Sequence, residues 1–381
     1  MRIAVDARPL AFPATGNATY LSRMLLQLMR LRPDDEWVLV SHRGLHPVFS
    51  DVAQRSAVEL RIEQGLSAKT GPGFVHLRLP ALLGELRCDL FWGTLAMLPF
   101  NYRNRCAVPA IVNFHDLNSY RAPETMPAWK RYQHRLLDGR TIAAAERVLC
   151  LSETTRQDIL TEFPDTPAGK LRVVYPGAEL PDSESRAPAG GAGRLSRFIL
   201  CVGTLAPRKN QSTLLEAYLA ARQKQELPPL RFAGRKGWGD ESLYNRLSSG
   251  ELEDQGVYYL EGASDGELAW CYEHCALVAL PSIHEGFGLP VIEAFQKGRP
   301  ALLSDIPIFR EGGGESMFVE PRARDAWQAA LIAANDQLRS DAWAQPDFDA
   351  EFWSWSERAK AVQEILEELE RENTFSPPVP G

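Results

Sequence analysis

Residues 284–293 read His-Glu-Gly-Phe-Gly-Leu-Pro-Val-Ile-Glu. They follow a short apolar run, and Pro290 suits the first turn of a helix because no N–H donor is needed there. The pattern predicts a buried strand, a glycine-rich turn and a helix. Such a turn directs the backbone N–H groups of Phe287, Gly288 and Leu289 outward, where the helix dipole favours an anion such as phosphate.

Two carboxylates flank this turn. Glu285 comes before it and Glu293 lies inside the predicted helix. Carboxylates repel a phosphate but accept hydrogen bonds from hydroxyl groups. A ligand that suits the whole stretch therefore carries both groups. A nucleotide sugar does, since its phosphates lie between two hydroxyl-rich rings.

Length and composition limit the class of protein. The 381 residues predict two domains. The chain has no apolar run of membrane-spanning length and begins with a strand pattern rather than a signal peptide, so we expect a cytoplasmic protein. Its six scattered cysteines argue against a secreted disulfide framework. The net charge of −7 makes nucleic acid an unexpected partner.

The N-terminal half alternates strands and helices, which predicts a parallel sheet covered on both faces. A strand over Arg2–Asp6 leads into a loop that contains Gly16, and a helix with its apolar face from Tyr20 follows. Gly-x-Gly-x-x-Gly is absent from that loop. Gly16 either lets a ligand approach the backbone closely or is a turn residue. Further strands are predicted at 37–41, 58–62, 89–92, 110–114, 148–151 and 171–175.

Polar residues at the carboxyl ends of parallel strands are candidates for ligand contact. His115 and Asp116 follow one such strand, and Ser152 follows the next. For His115 the alternative is a hydrogen-bonded loop histidine. For Ser152 the simpler interpretation is a helix N-cap.

A second alternating series follows a linker without periodic apolar residues at 181–196. Its first strand, Phe198–Val202, ends at Gly203, and Arg208 and Lys209 precede the next helix. The chain is thus predicted to form two α/β halves whose strand ends face each other across a cleft. Arg208 and Lys209 could neutralise a diphosphate and stabilise charge on a leaving group. The alternative is a pair of solvated loop cations.

Together these motifs resemble the retaining GT-B glycosyltransferases of family 4. The resemblance rests on the Gly16 loop, His115-Asp116, Gly203 with Arg208-Lys209-Asn210, and the glutamate pair, and it covers nearly the whole chain. It implies two Rossmann-like, doubly wound domains. It also implies transfer of a sugar from a nucleoside diphosphate sugar with retained anomeric configuration, without a metal or other cofactor.

The resemblance also implies roles for single residues. Arg208 and Lys209 hold the diphosphate, Glu293 binds the ribose hydroxyls, and Glu285 lies by the donor sugar. His115 lies beside donor sugar and acceptor and counts, with Arg208, Lys209 and Glu285, among the catalytic candidates. The remaining donor-binding candidates lie near phosphate or sugar: Gly16, Gly203, Phe287, Gly288 and Leu289.

The segments 113–117 and 174–177 look most like bacterial mannosyltransferases of surface polysaccharide synthesis. We therefore expect α-mannose transfer from GDP-mannose to a lipid-linked, O-antigen-like glycan at the inner face of the cytoplasmic membrane. A UDP-sugar donor, a GT-B epimerase and a non-catalytic nucleotide-sugar-binding protein remain alternatives. No nucleophilic carboxylate except Glu285 is evident, so we favour a front-face substitution in which the departing diphosphate helps to deprotonate the acceptor.

Further expectations concern the domain boundaries, one stretch of cations and aromatic rings, and metal binding. An acceptor-side domain is expected at 1–180 and a donor-nucleotide domain at 197–352, with a final helix at 353–372 that packs back towards the N-terminal domain and a loose tail at 373–381. The stretch 129–135 mixes cations with aromatic rings and suggests contact with an anionic membrane, although a solvated helix face is the commoner explanation. Cys271, His274 and Cys275 lack the fourth ligand of a structural zinc site, so no metal is expected.

Overall fold

The computed structural model describes residues 1–12, 15–65, 69–178, 184–189, 197–340, 342–343 and 346–372. The chain forms two compact units. The first comprises Met1–Tyr120, Met126–Gly177 and the C-terminal segment from Glu351, and the second comprises Arg121–Thr125 and Ala178–Ala350. Most of the predicted linker and the predicted tail lie outside the described residues.

Each unit is built on one parallel sheet, as the alternation of strands and helices predicts. The first sheet has the strand order β3-β2-β1-β4-β5-β6-β7 and the second β10-β9-β8-β11-β12-β13. The strands of the first are β1 Arg2–Asp6, β2 Glu36–Ser41, β3 Val58–Ile62, β4 Leu90–Gly93, β5 Ala110–Phe114, β6 Arg147–Cys150 and β7 Leu171–Val173. Those of the second are β8 Phe198–Val202, β9 Leu230–Gly234, β10 Val257–Glu261, β11 Cys275–Leu280, β12 Ala301–Ser304 and β13 Met317–Val319.

Helices connect the strands. In chain order they are α1 Gly16–Leu31, α2 Ser50–Ala53, α3 Gly71–Gly73, α4 Leu79–Leu86, α5 Tyr102–Arg105, α6 Asn118–Arg121, α7 Ala128–Ala144, α8 Glu153–Glu162, α9 Gln211–Arg222, α10 Glu241–Ser248, α11 Asp265–His274, α12 Leu289–Gln296, α13 Pro307–Gly312, α14 Arg324–Arg339 and α15 Trp355–Arg371. A π-helical turn covers Phe74–Arg78, and short 3-10 turns include Arg8–Ala11 and Pro207–Lys209. Among the described residues, no helix has the length and apolar character needed to span a membrane.

Central strands such as β1 and β11 are almost continuously apolar, because both faces of each sheet are covered there. In β1, Ile3 and Val5 enter one core cluster with α1 and α15, whereas Ala4 enters the cluster on the opposite face. The strand order changes direction between β1 and β4 in the first sheet and between β8 and β11 in the second. Ligands of doubly wound sheets bind at the carboxyl ends of the strands beside such switch points.

The C-terminal helix α15 packs on α1 within the first unit. Trp355, at its start, is 3% exposed, so this ring is ordinary core. Ser354 caps the helix by accepting a hydrogen bond from the backbone N–H of Glu357. Acidic residues near its end pair with arginines of the unit, as in Arg172–Glu368 at 2.7 Å.

One local expectation needs correction. Helix α1 begins at Gly16, in what the sequence suggested to be loop, because the side chain of Thr15 caps it by accepting from the N–H of Ala18.

The described part of the predicted linker makes hydrogen bonds with helix α11 of the second unit. The N–H of Arg186 donates to Gly266 O at 3.0 Å, and Ser185 Oγ donates to Glu273 Oε2 at 2.6 Å.

Candidate active site

The strand, turn and helix predicted around residues 284–293 are present. Strand β11 is buried throughout, and α12 begins at Leu289 with Pro290 in its first turn. Gly288 has φ 88°, and a Cβ there would lie 2.6 Å from the Phe309 ring, so glycine is required on both grounds. In the first turn of α12, Pro290 has no N–H, and the N–H of Val291 donates to Gly288 O at 2.9 Å.

Glu285 is the centre of an ion cluster at this turn. It is 6% exposed, and its carboxylate accepts from Arg208 Nη1 at 2.6 Å and Lys209 Nζ at 2.5 Å. Ser282 Oγ donates a third hydrogen bond at 2.7 Å. Burial alone would raise the pKa of Glu285, but the two cations outweigh it and hold the pKa far below its ordinary value. Glu285 is therefore ionised at neutral pH.

The loop that carries the two cations is fastened to the loop of Glu285. Arg208 Nη1 also donates to His284 O at 2.5 Å, and the N–H of Ile283 donates to Arg208 O at 2.8 Å. Asn210, in a left-handed conformation, donates from Nδ2 to Pro281 O at 3.0 Å. These bonds join the loops after β8 and β11 at the switch point of the second sheet. The charged groups are thereby preorganised.

The ion cluster refines the expectation for Arg208 and Lys209. The sequence suggested cations available to a diphosphate and a carboxylate acting separately on a sugar. Instead, Glu285 pairs with both cations. Each cation side chain is still 18% exposed, so a ligand can reach it.

Gly203 and Gly234 permit close backbone packing beside this cluster. Gly203 has φ 141°, and a Cβ there would lie 3.4 Å from Lys209 Cε. A Cβ on Gly234 would lie 2.1 Å from Gly203 O, which no real side chain could tolerate. The stem of Lys209 therefore passes over bare backbone at the end of β8.

Glu293 has a partner that the sequence did not reveal. Tyr272 Oη donates to Glu293 Oε2 at 2.5 Å. Burial raises the pKa of Glu293 to about 7, the charge of Asp265 adds to this, and the Tyr272 hydrogen bond and Lys209 oppose it. The carboxyl group of Glu293 therefore titrates near neutral pH. Tyr272 lies in α11, distant in sequence, so no motif pointed to it.

The cysteines and histidine of residues 271–275 have separate contacts. Arg231 Nη1 donates to Cys271 Sγ at 3.5 Å, and Cys275 Sγ donates to Tyr272 O at 3.4 Å. The His274 ring stacks on Trp270 at 4.2 Å. Within the described part of the chain, no group of three or more His, Cys, Asp and Glu residues could hold a metal ion.

His115 lies in the first unit, at the carboxyl end of β5. Its Nε2 donates to Thr94 O at 2.7 Å, so Nδ1 of the neutral ring is an acceptor, and this buried atom has no partner among the described residues. Burial lowers the pKa of His115, although Thr94 and Asp116 act in the opposite direction. The ring also meets the edge of Tyr20, with the ring centroids 5.6 Å apart.

Ser152 has the predicted N-cap role, since its Oγ accepts from the N–H of Thr155 at 3.0 Å.

Gly16 is exposed at the start of α1, and a Cβ there would meet nothing within 4 Å. The fold therefore does not require glycine at this position.

We expect Gly16→Ala to leave the thermal midpoint unchanged or slightly raised, because alanine favours a helix. If phosphates approach this backbone, donor affinity falls at the same time. Calorimetric titration with donor nucleotides measures this, and unchanged affinity would remove Gly16 from the site.

Comparisons with known proteins agree with this architecture. A model described as Glycosyltransferase Family 4 matches residues 18–180, and one described as Glycosyl transferases group 1 matches residues 189–334. O-antigen chain mannosyltransferase B of Escherichia coli is 27% identical over 364 residues, which cover 91% of this chain and 92% of that protein. D-inositol 3-phosphate glycosyltransferase of Corynebacterium jeikeium (strain K411) is 28% identical, with 96% of each chain covered. The crystal structure of Anabaena HepE in complex with UDP-glucose superposes with a TM-score of 0.64 at 17% identity, over 97% of this chain and 100% of that one.

The two Rossmann-like sheets place the chain in the GT-B class of folds. Because the two models match successive parts that together span most of the sequence, the chain belongs to the glycosyltransferases composed of a family 4 domain followed by a group 1 domain.

Proposed function

We propose that this glycosyltransferase moves α-mannose from GDP-mannose to a lipid-linked glycan, with retention of configuration, in O-antigen-like polysaccharide synthesis. The observation that carries the donor site is the Arg208–Lys209–Glu285 cluster at the switch point of the second sheet. The choice of mannose is supported by relatives that are O-antigen chain mannosyltransferases of Escherichia coli and of Salmonella typhimurium. A UDP-sugar donor is the second candidate, because HepE was crystallised with UDP-glucose.

In this proposal the cluster is reorganised by the donor. The diphosphate accepts some of the hydrogen bonds of Arg208 and Lys209, and the backbone N–H groups of Gly288 and Leu289 supply further donors. Glu285 then accepts hydrogen bonds from sugar hydroxyls while the cations still orient it. Glu293 accepts from the ribose hydroxyls.

The same geometry argues against a covalent intermediate on Glu285. Its oxygens accept from Arg208, Lys209 and Ser282, which lowers their nucleophilicity. We therefore favour front-face substitution. The bond from the anomeric carbon to the diphosphate breaks, the acceptor oxygen bonds to the same face, and the acceptor proton goes to the departing phosphate. Neither a metal nor another cofactor is required, so transfer should continue in the presence of a chelator.

A ligand panel tests the donor. A ligand that binds the folded protein raises its thermal stability, by about 2.7 kcal/mol at a hundred times Kd. We expect GDP and GDP-mannose to raise the thermal midpoint more than UDP, ADP and their sugar derivatives. A larger shift with UDP-glucose would favour the second candidate. Conversion of donor to an altered sugar nucleotide without acceptor would indicate an epimerase instead.

Donor binding should depend on pH through Glu293. Hydroxyl donors favour the ionised carboxylate, so binding lowers its pKa from about 7 and releases a proton. Affinity for GDP should rise with pH up to about 7, by at most roughly tenfold per unit, and level off above. Glu293→Gln should flatten this dependence. Titration calorimetry of the wild type and of Glu293→Gln between pH 6 and 8 separates the contribution of Glu293 from the protonation of the phosphate itself. An identical dependence of GDP affinity on pH in the two proteins would exclude a role for Glu293.

The membrane contact is also a proposal, and helix α7 supports it. Trp129, Tyr132 and Leu136 are 63, 72 and 43% exposed and share one helix face. Cations accompany the rings, as where Lys130 Nζ lies 5.6 Å from the Trp129 centroid. Exposed aromatic rings with cations are typical of surfaces that bind anionic lipids.

Vesicle sedimentation checks this surface. The wild type should bind vesicles that contain phosphatidylglycerol more strongly than phosphatidylcholine vesicles, and Trp129→Ala with Tyr132→Ala should reduce the difference severalfold. Trp238→Ala is the matched control, since Trp238 is 45% exposed in the second unit. Equal, negligible binding to both kinds of vesicle would remove the contact.

A further inference from the structure

The switch point of the first sheet carries a second group of cationic and imidazole side chains that the donor site does not use. Arg8 follows β1 and is 7% exposed. It pairs with Asp6 through Nε at 2.8 Å and Nη2 at 2.6 Å. Nη1 of Arg8 has no acceptor among the described residues. One edge of a nearly buried guanidinium is thus left for a ligand.

Two histidines from other segments lie near this guanidinium. His42 follows β2, stacks on Phe74 at 5.9 Å, and has a buried Nδ1 without a partner in the part of the chain that the structure describes. His76 accepts from the N–H of Phe100 at Nδ1, 3.2 Å away, so Nε2 of its neutral ring carries a proton. Burial lowers the pKa of both rings, and the charge of Arg8 lowers it further.

Gly71 shows that Arg8 and His42 border the same space. A Cβ on Gly71 would lie 3.6 Å from Arg8 Nη1 and 3.7 Å from His42 Cε1. Any side chain at this position would therefore narrow the approach to both groups. Arg43 adds positive charge near His42 and Arg105 adds it near His76, whereas the Asp6 carboxylate opposes the positive charge at His42.

Thr94 links this group to the rest of the first unit's candidate site. Its Oγ1 donates to Asp6 O at 2.6 Å, and its own carbonyl accepts from His115. A ligand held at Arg8 would therefore lie on the same strand-end surface as His115. The proposed function requires the acceptor substrate to bind at this strand-end surface.

We propose that Arg8, His42 and His76 form a phosphate-binding site that holds a phosphate group of the acceptor substrate. The Nη1 edge of Arg8 and imidazole N–H groups are suitable donors for phosphate oxygens, and uptake of a proton by either ring would strengthen the attraction. That the phosphate belongs to the acceptor substrate rests on the proposed function, whereas the anion site itself rests on the geometry of these side chains. Its phosphate could come from a lipid-linked diphosphate or from a phosphorylated sugar.

The experiment observes the imidazoles directly, in the complete chain without nucleotide. Inorganic phosphate, mannose 6-phosphate and a short-chain polyprenyl diphosphate are titrated separately while the histidine ring signals are followed by NMR. We expect saturable shifts of the His42 and His76 signals, with His274 unmoved as an internal control. The probe that binds most tightly identifies the source of the phosphate.

Variants separate the site from general electrostatics. His42→Gln should weaken phosphate binding by roughly tenfold, since one charge-assisted hydrogen bond is lost. The pair Asp6→Asn with Arg8→Gln should abolish it without leaving a buried unpaired charge. His46→Gln serves as the matched control. Shifts of equal size at His274, or unchanged affinity in both variants, would overturn the proposal. GDP binding, measured on the same samples, reports independently on the donor site.

Discussion

Arg208→Ala and Lys209→Ala each lower sugar-transfer turnover by roughly 10²–10³-fold, or about 3–4 kcal/mol. Both cations lie at the switch point of the second sheet, within hydrogen-bond distance of the same carboxylate. As the diphosphate departs it gains negative charge, so these contacts strengthen in the transition state. Such preorganised charges cost no reorganisation when the bond breaks.

Two further variants sharpen this test. Arg208→Lys retains the charge but loses the planar fork that also contacts His284 O, so it should recover part of the loss. Arg324→Ala removes an arginine that is 60% exposed in the same unit and should leave turnover unchanged. Near wild-type turnover in folded Arg208→Ala and Lys209→Ala would refute the proposed role.

Glu285→Gln destabilises the protein and separates the two functions of the cluster. Removing the charge leaves two cations with a neutral partner. The loss in the free energy of unfolding is up to about 3 kcal/mol and no more, because the cation side chains are each 18% exposed and water partly solvates them. Turnover falls because the sugar contact is altered. Affinity for free GDP is retained or increased, since the carboxylate no longer competes with phosphate for Arg208 and Lys209.

The effect on stability has a definite pH dependence. The pKa of Glu285 is depressed in the folded protein, so its contribution is present above the unfolded pKa of about 4.5 and is lost as pH falls further. Denaturation with urea at pH 7 and pH 4 should thus show a smaller pH effect in Glu285→Gln. Asp305→Asn, in an ion pair about half exposed, is the control and should cost under about 1 kcal/mol. Loss of GDP binding in folded Glu285→Gln would contradict the competition.

Much of the fold can be predicted from the sequence, because buried strands, turns and helix starts depend on residues that are close together in the chain. Apolar runs such as Cys275–Leu280 can be read as buried strands, and Pro290 marks the start of α12. The parallel arrangement follows from the alternation of strands and helices. The start of α1 was misjudged because Gly16 suggested a turn, whereas the cap at Thr15 set the boundary.

The electrostatic details could not be predicted, because they join residues distant in sequence. Arg208 and Glu285 are 77 positions apart, and the pairing depends on β8 and β11 being neighbours in the sheet. Tyr272 reaches Glu293 across 21 positions. The unpartnered atoms of Arg8 and His42 depend on packing that the sequence pattern does not record. Charged residues were identified, but their partners were not.

Transfer from GDP-[13C]mannose to lipid-linked glycans extracted from bacterial membranes, followed by NMR of the labelled anomeric carbon, tests the central claim most directly. The proposed function predicts an α-linked mannose product that forms in the presence of a chelator and disappears in Arg208→Ala. A β-linked product, or no transfer from GDP-mannose while another sugar nucleotide is consumed, would contradict it.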